Sequence, residues 1–464
     1  MSMLSRRTTL AASALLLAAP KLLRASTPVP DLRMILLGDL HSGYRRTARL
    51  AAAIQSECRV DSPTVIIING DLLEGGNDLA RRSGGEADFA LIRSLARHAS
   101  VYVTIGNHDC DLFSLHEFIQ KTEAAGATVI SDITNPLHED TPYAARLCRF
   151  RTPKGITVSL SAVATDEKAL YEKASRQTMT IPECTTYANQ IAYPLISDAD
   201  IPVLLVHAGF VADRNILATS QKDTKPFLLH GSHDHLRFTH AMQDGRMHLQ
   251  SGAWTQSFQV VDAFAGRPPS EWTVRDILTD HVPHEDPELA NIIARIREDH
   301  LSANDMKIIG KLPRDMNTDQ AGLWATEQIR LTTGADAAFI GHTTFGDGLP
   351  AGAIISWDID SFLRFDGGMS SAHIRGDALT RLLHNRCNQL DGSTSYDQRT
   401  GDYLYASINP QTDIRPDKKY TIAISSFPVS TPSRMNAYVG ENLENITPIP
   451  GIRLRDQIEK HISL

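Results

Sequence analysis

The stretch Val65-Ile66-Ile67-Ile68-Asn69-Gly70-Asp71 decides the fold, because an apolar run passes directly into side chains that can bind a metal. Similar blocks recur along the first half of the chain: Gly38-Asp39-Leu40-His41, Gly106-Asn107-His108-Asp109, His207-Ala208-Gly209 and His233-Asp234-His235. Short β-branched and aliphatic runs bounded by glycine are typical of buried strands. The pattern therefore predicts strands that end in polar groups.

Each of the other blocks also closely follows an apolar run, at residues 34–37, 101–103, 203–206 and 227–229. Apolar residues at helical spacing lie between the strands, at residues 45–57, 87–99 and, more weakly, 115–125. Alternating strands and helices predict a layered α/β domain. Open α/β sheets place their sites at the carboxyl ends of the strands, so we expect the blocks to meet in one crevice.

The blocks together contain carboxylates, imidazoles and an amide, which are the ligands of a two-metal hydrolase. A bridging carboxylate holds two cations ~3.5–4 Å apart in such sites. Hard oxygen donors mixed with imidazoles suit manganese, zinc, iron or cobalt rather than calcium. One block alone is weak evidence, since Asn-Gly-Asp is a common turn and a single histidine often lies in a core. The ordered set predicts the metal centre.

The same blocks, in the same order, resemble the motifs of the calcineurin-like metallophosphoesterases, and the second domain behind them resembles the 5'-nucleotidase branch. The resemblance implies a first domain that is a four-layer α/β/β/α sandwich. It implies one metal bound by Asp39, His41, Asp71 and His235. It implies a second metal, which shares Asp71 and is bound also by Asn107, His207 and His233. A water activated by the metals would attack the phosphate ester in line with the leaving oxygen.

The resemblance gives His108 a catalytic role rather than a ligand role: it would face the phosphate, stabilise the developing charge or protonate the leaving group. Asp111 resembles the carboxylate that orients this histidine, with a loop carboxylate or helix cap as the alternative. We expect Asp109 to accept backbone hydrogen bonds in its loop. Two features depart from the family: Ser232 stands where glycine is common, and His230 adds an imidazole that we assign to the strand or to residues behind the ligands.

Turn-forming residues at 266–269 and 282–287 predict a domain boundary. We therefore divide the chain into a metallophosphoesterase domain at 28–265, a linker at 266–290 and a C-terminal substrate domain at 291–464. The last resembles the 5'-nucleotidase C-terminal domain, which is also α/β, in segments 334–340 and 374–379. Strands are predicted at 337–340 and 420–424, and helices at 289–300, 320–333 and 376–389.

The residues that would select a substrate depart from the family. Its glycine-rich turn ending in arginine reads Gly341 to Asp347 here and contains no arginine, which removes a bidentate contact. Phe427 and either Tyr403 or Tyr405 are candidates to stack on a nucleobase, with core packing as the alternative for each. Arg364 is a candidate substrate contact, with a solvated surface charge as the alternative. Nucleotide recognition is therefore left open.

Composition limits the partners and the location. The 464 residues carry a formal net charge of -8 without a basic run, which argues against a nucleic-acid polymer and leaves a small phosphorylated substrate. Ser5-Arg6-Arg7 precedes an apolar stretch at residues 10–19, which is shorter than the ~20 residues of a membrane span. We predict a twin-arginine signal peptide at 1–27 and a periplasmic protein. The five cysteines form no CxxC pair, which argues against a structural zinc site.

Three functions fit these observations. The first is an exported phosphohydrolase that uses two divalent metals, with a nucleotide or another phosphomonoester as substrate. The second is a thiosulfohydrolase like those of sulfur oxidation, which share the fold and the export signal. The third is a binding or assembly protein that kept the fold and lost activity, and the complete set of ligand residues argues against it.

Overall fold

The structure, a computed structural model, describes residues 29–58, 62–220, 225–390 and 394–462. The predicted signal peptide at 1–27 lies outside the described residues. Strands of the first domain are β1 Leu32–Gly38, β2 Thr64–Asn69, β3 Ser100–Thr104, β4 Ala127–Ile130, β5 Thr134–Asn135, β6 Thr141–Pro142, β7 Leu147–Arg151, β8 Thr157–Ala164, β9 Ile201–His207, β10 Leu228–Gly231, β11 Arg237–Ala241, β12 Met247–Ser251, β13 Ser257–Ala263 and β14 Thr273–Leu278. Its helices are α1 Thr47–Glu57, α2 Asp78–Ser83, α3 Glu86–Ala96, α4 Leu115–Ala124, α5 Cys184–Tyr187, α6 Tyr193–Ile196, α7 Phe210–Thr219 and α8 Pro287–His300.

The first domain contains two six-stranded sheets, ordered β14-β13-β1-β2-β3-β4 and β11-β12-β10-β9-β8-β7. Strands β1 to β4 are parallel to one another, as are β8, β9, β10 and β12. Alternation along β1 sends Met34 and Leu36 into the core between the sheets, and Ile35 and Leu37 towards the helices. Helices α1, α3, α4 and α8 cover the first sheet, and α5, α6 and α7 cover the second. The predicted four-layer α/β/β/α sandwich is confirmed.

The second domain is built on a five-stranded sheet, ordered β19-β16-β20-β18-β21, and a two-stranded sheet of β15 and β17. Its strands are β15 Ile308–Leu312, β16 Ala337–Gly341, β17 Gly352–Ile355, β18 Gly368–Arg375, β19 Leu404–Ile408, β20 Lys419–Ser425 and β21 Glu444–Arg453. Its helices are α9 Thr318–Thr333, α10 Ser356–Phe362, α11 Gly376–Arg386, α12 Pro432–Arg434 and α13 Leu454–His461. Apolar clusters cover both faces of the larger sheet, which makes this a second α/β layer structure.

The segment predicted as a linker, residues 266–290, packs onto the first domain. It contains β14, which pairs with β13 from Ser257↔Leu278 to Asp262↔Thr273. The following helix α8 buries Leu289, Ile293 and Ile296 in the core that covers the first sheet. Apolar residues beyond position 265 thus join the first core, although the turn chemistry at both ends of the segment resembles that of a linker.

All five cysteines lie in the described part of the chain and are free thiols. Among the described residues, no helix has the length and apolar character needed to cross a membrane.

Candidate metal centre

The strand ends bring the predicted ligands together. Asp39 and His41 follow β1, Asp71 follows β2, Asn107 follows β3, His207 ends β9, and His233 and His235 follow β10. Donor atoms of Asp39, His41 and His235 lie within 4.8 Å of one another, as do those of Asp71, His207 and His233. Both sheets therefore supply ligands to one edge of the sandwich, and the two clusters correspond to the two predicted metals.

Several of these side chains are buried without a hydrogen-bond partner among the described residues. The atoms are His41 Nδ1, Asn107 Oδ1, His207 Nε2 and His233 Nδ1. An unpartnered buried polar group costs about 1–3 kcal/mol, so the atoms of Asn107, His207 and His233 need a compensating ligand. His41 turns Nε2, rather than the unpartnered Nδ1, towards Asp39 and Asp71. The Nε2 atoms of His41 and His235 also face each other at 2.9 Å, and His207 Nε2 lies 3.1 Å from Asp71 Oδ2. This donor set fits a pair of divalent transition-metal ions.

Burial keeps three of the imidazoles in the neutral form that metals bind. It lowers the pKa of His41 and of His235 well below the ordinary histidine value. Burial and the neighbouring His207 lower the pKa of His233 to about 3. Burial alone would raise the pKa of Asp71, but the surrounding histidines outweigh it and hold this carboxyl ionised.

Asn69 and Ser232 fix the orientation of His207 from behind. His207 Nδ1 lies 3.0 Å from the Asn69 carbonyl oxygen and 2.8 Å from Ser232 Oγ, which leaves Nε2 for a metal. Ser232 Oγ donates to the same carbonyl at 2.7 Å. The Asn69 side-chain amide donates to the carbonyls of Val206 at 3.1 Å and His230 at 2.8 Å, which joins the two sheets directly beneath the site.

Five of the ligand residues adopt positive φ angles. The values are 52° for Asp39, 47° for His41, 50° for Asp71, 91° for His233 and 58° for His235. A left-handed backbone costs an L-residue about 1–2 kcal/mol, and such strain is common at functional sites. These conformations turn the chain sharply after each strand.

Glycine is required at two places beside the ligands because the chains approach closely. A Cβ atom on Gly106 would lie 2.2 Å from Asp71 Oδ1. A Cβ atom on Gly70 would lie 2.2 Å from His207 Nδ1, and Gly70 also has a φ of 73°. The glycines of the second and third blocks thus make room for ligands from their neighbours.

His108 and Asp111 form a hydrogen-bonded pair next to the clusters, with His108 Nδ1 2.8 Å from Asp111 Oδ2. The same carboxylate oxygen accepts from the Gly75 amide at 3.0 Å, which fixes its position. Burial opposes a charge on His108, but Asp71 and Asp111 together raise its pKa to about 9. The backbone amide of His108 donates to Asp71 Oδ1 at 2.7 Å, so this histidine is tied directly to the shared carboxylate.

The remaining polar residues of the blocks have supporting positions. Asp109 accepts from the amides of Asp71, Leu73 and Gly106 at 3.0, 3.1 and 2.8 Å, which confirms its predicted structural role. Asp234 is buried, and its Oδ2 accepts from the Phe210 amide at 2.7 Å. His230 is buried within β10, with Nε2 3.2 Å from Ser251 Oγ.

A cavity of about 570 Å³ opens onto the clusters between the two domains. The first domain contributes His41, Asp71, Asn107, His108, His233 and His235 to its wall. Phe427 lines the opposite side and is 47% exposed, with the Arg434 guanidinium 4.2 Å above its ring and Tyr438 beside it at 5.7 Å. The cavity therefore joins a metal-binding wall to an aromatic and cationic wall.

Tyr403 and Arg364, which were candidate substrate contacts, both have buried side chains. Tyr403 is buried, stacks on His342 at 3.9 Å and has its hydroxyl 3.4 Å from Asp319 Oδ1, and it lines a separate cavity on the other side of His235. The structure gives it a packing role because its ring is covered rather than open. Arg364 borders the main cavity, but its side chain is buried and paired with Glu74.

Three residues that contact the site were not among the predicted site residues. Trp254 stacks on His41 with ring centroids 4.5 Å apart, and Glu74 binds the buried arginine. His342 Nε2 lies 2.9 Å from the Asp234 carbonyl oxygen and links the second domain to the fifth block. Two of them had a signal in the sequence. Trp254 follows β12, which ends at Ser251 beside β10, and His342 lies in the turn from Gly341 to Asp347.

Comparison with known proteins agrees with this geometry. The family model described as calcineurin-like phosphoesterase matches residues 32–148. No curated protein sequence matches the chain.

Solved structures resemble the whole chain at low identity. A 5'-nucleotidase precursor from Thermus thermophilus is 13% identical with a TM-score of 0.60, covering 93% of this chain and 96% of its own. The sulfate thiohydrolase SoxB of the same organism is 12% identical with a TM-score of 0.63, covering 94% of each chain. A 5'-nucleotidase from Candida albicans is 13% identical with a TM-score of 0.58, covering 94% of this chain and 98% of its own. The predicted resemblance is confirmed: residues 32–148 match the model of the calcineurin-like phosphoesterases, and the chain is similar in its two-domain fold to the 5'-nucleotidases and SoxB.

Proposed function

We propose that this chain is a dinuclear-metal hydrolase of phosphate esters, with a nucleotide or a related phosphomonoester as substrate. One observation carries the proposal. Unpartnered buried nitrogen and oxygen donors from both sheets converge in two clusters beside a cavity that His108 also lines. A purely structural core would not keep this many donor atoms buried and unpaired.

The residues of the site have two proposed roles, metal binding and catalysis of bond cleavage. Asp39, His41, Asp71 and His235 would hold one metal, and Asp71, Asn107, His207 and His233 the other. Bound manganese, zinc, iron or cobalt ions would activate a water for attack and polarise the phosphoryl oxygens. His108, held through Nδ1 by Asp111, would use its other nitrogen to stabilise negative charge on the phosphoryl group and to protonate the leaving oxygen.

Phe427 and Arg434 support a leaving group with a flat or apolar part. Phe427 is 47% exposed in the cavity, so it can contact such a group. Arg434 lies over one face of the ring, which leaves a single face for stacking. We therefore keep Phe427 as a proposed substrate contact and assign no stacking role to Tyr403.

Reconstitution with each metal, followed by hydrolysis of nucleotides, sugar phosphates, aryl phosphates and phosphodiesters, tests the proposal. We expect phosphate release by the metal-loaded protein and none after chelation. Asp71→Asn removes the shared negative charge and should lower turnover by at least ~100-fold. His284→Ala, which changes an exposed histidine far from the clusters in sequence, is the matched control and should keep full activity.

Elemental analysis of bound transition metal distinguishes an inactive binding protein from an enzyme whose substrate is not in the panel. Absence of bound transition metal after reconstitution would contradict the metal centre and favour a non-catalytic role. Full phosphate release by Asp71→Asn would contradict the assignment of the shared ligand.

A sulfate thiohydrolase is the second candidate, and the similarity to SoxB over 94% of both chains favours it. The absence of arginine from residues 341–347 fits a substrate other than a nucleotide equally well. Both reactions would use the same metals, so only the product distinguishes them. Sulfate release from a thiosulfonate, without phosphate release from any ester, would replace the first proposal by the second.

We also propose export to the periplasm by the twin-arginine machinery. Ser5-Arg6-Arg7 ahead of the apolar residues 10–19 supports this route. A protein that acquires metals benefits from export in the folded state. Recovery from the periplasmic fraction with a new N-terminus near residue 27, and loss of export in Arg6→Lys/Arg7→Lys, would be the expected results.

A further inference from the structure

The second domain reaches into the metal centre through one buried arginine. Arg364 follows α10, and its guanidinium binds the Glu74 carboxylate of the first domain. Each of these side chains is only 1% exposed. A buried ion pair between domains fixes the position of both groups more closely than a surface pair does.

The same guanidinium holds His41 in two ways. Arg364 Nη2 donates to the His41 carbonyl oxygen at 3.2 Å. The guanidinium also lies 5.1 Å above the ring of Trp254, and Trp254 stacks on the His41 imidazole with an interplanar angle of 26°. Arg364 therefore contacts both the backbone of His41 and the ring that supports its imidazole.

His41 needs such support because its own backbone does not favour the observed position. Its φ of 47° lies in the left-handed region, which a histidine rarely adopts. Its Nδ1 is buried without a partner among the described residues, so no side-chain hydrogen bond holds the ring through that atom. The contacts from Arg364 and Trp254 supply the missing restraint.

We propose that Arg364 is a positioning residue for the metal ligand His41. Through it the second domain sets the affinity of the cluster Asp39, His41 and His235. The other cluster, Asp71, His207 and His233, has no contact with Arg364 among those described. It is linked to the first cluster only through the shared Asp71, so its affinity should depend on Arg364 far less. This inference rests on the proposed metal centre, and it assigns Arg364 to ligand positioning rather than to the substrate.

Titration of Co²⁺ into the metal-free full-length protein tests the proposal by calorimetry and visible absorbance. We expect two binding steps in the wild type. Arg364→Met should weaken one step about 10–100-fold, as is typical when a group that orients a metal ligand is lost, and change the other, which is linked to it only through Asp71, far less. Arg364→Lys should recover part of the affinity, since it keeps the charge but lacks the planar fork.

Two variants identify the affected step. His235→Ala removes a ligand of the first cluster and should abolish the same step that Arg364→Met weakens. In the double variant His235→Ala/Arg364→Met, the Co²⁺ affinity of the remaining step should match that of His235→Ala alone. Glu74→Gln frees the guanidinium without deleting it and provides the test if Arg364→Met does not fold.

A second interdomain ion pair supplies the matched control. Arg46 Nη1 and Asp347 Oδ1 lie 2.6 Å apart, with side chains 9% and 2% exposed, and neither residue belongs to the ligand clusters. Asp347→Asn should leave both Co²⁺ affinities unchanged. Equal weakening of Co²⁺ binding in Asp347→Asn and Arg364→Met would show that the effect comes from looser packing between the domains, and it would overturn the proposal. Co²⁺ affinities equal to those of the wild type in both Arg364→Met and Glu74→Gln would overturn it as well. A wild type that binds no metal would instead overturn the metal centre itself.

Discussion

At the residue scale, His108 and Asp71 connect the two ligand clusters to the reacting groups. Asp71 uses Oδ1 to accept from the His108 amide at 2.7 Å, while its Oδ2 lies 3.1 Å from His207 Nε2 and 3.8 Å from His41 Nε2. The Asp71 carboxylate thus fixes the distance between the proposed metal sites and His108, the proposed acid. A shift of the loop after β2, which contains Asp71, would therefore move both the shared ligand and His108.

Replacing His108 by alanine should lower turnover about 10²–10⁴-fold, because the proton donor and its positive charge are lost. The loss should be smaller for an aryl phosphate with an acidic phenol, since that leaving group needs little protonation. Comparing two aryl phosphates of different phenol acidity in wild type and His108→Ala measures this difference. Equal losses for both esters would assign His108 to charge stabilisation alone.

Replacing Gly106 by alanine should disrupt metal binding at the shared carboxylate, because the new Cβ atom would lie 2.2 Å from Asp71 Oδ1. Asp71 or the β3 loop must then move. We expect at least ~10-fold weaker binding of the metal pair. The control is Gly155→Ala, where nothing lies within 4 Å of a Cβ atom and the strain of a φ of 82° falls in the turn between β7 and β8, so metal affinity should not change. Unchanged metal affinity in Gly106→Ala would contradict the described approach of the two loops.

At the element scale, the loop after β1 is anchored on helix α3. Asp88, in the first turn of α3, accepts from the Tyr44 hydroxyl at 2.5 Å and from Ser42 Oγ at 3.2 Å. Burial raises the pKa of Asp88 to about 7 although these hydrogen bonds oppose the shift. The loop that presents Asp39 and His41 is therefore attached to a carboxyl that is protonated in the folded state under mildly acidic conditions.

This buried carboxyl predicts a pH dependence of stability. The folded-state pKa lies above that of an unfolded aspartate, so Asp88 favours folding below pH ~4, and that contribution is lost as the pH rises to about 7. The loss amounts to roughly 4 kcal/mol at most. Asp88→Asn does not titrate, so urea unfolding of the metal-free proteins at pH 5 and pH 8 should show a smaller change in the variant. An equal change in both proteins would contradict the shift.

The strand ends could be predicted from the sequence because each apolar run is short and stops at a ligand residue. The runs at 65–68 and 203–206 became β2 and β9 with the expected polar ends. Strand β14 was not predicted, since Arg275 and Asp276 interrupt its apolar residues and it pairs at a sheet edge. The burial of Arg364 could not be predicted from the sequence, because its partner Glu74 belongs to the other domain.

At the scale of the whole molecule, buried charges hold the domains together. Arg46 on the first domain binds Asp347 on the second, and also binds Asp280 at 2.6 Å. Burial opposes the charge on Arg46, but these carboxylates outweigh it and raise its pKa further. The interface between the domains therefore contains buried ion pairs at Arg364 and at Arg46.

Replacing Asp347 by asparagine should destabilise the protein by roughly 1–3 kcal/mol, because Arg46 keeps Asp280 but loses its buried partner. Urea unfolding monitors this loss. The control Glu285→Gln removes an exposed partner of Arg49, the two side chains being 46% and 42% exposed, and should change stability by less than about 1 kcal/mol. A smaller effect from Asp347→Asn than from the control would contradict the burial of the interdomain pair.

The amide of Asn69 has a consequence for the order of assembly. This one side chain donates to two strands of the opposite sheet. The backbone carbonyl oxygen of Asn69 lies within hydrogen-bond distance of His207 and Ser232. Neither cluster is complete until the sheets have docked, because each combines residues from both sheets. Asp39 and His41 follow β1 while His235 follows β10, and Asp71 follows β2 while His207 ends β9. We therefore expect the two sheets to pack together before the metal ions bind. Metal binding would then indicate that the sandwich has formed.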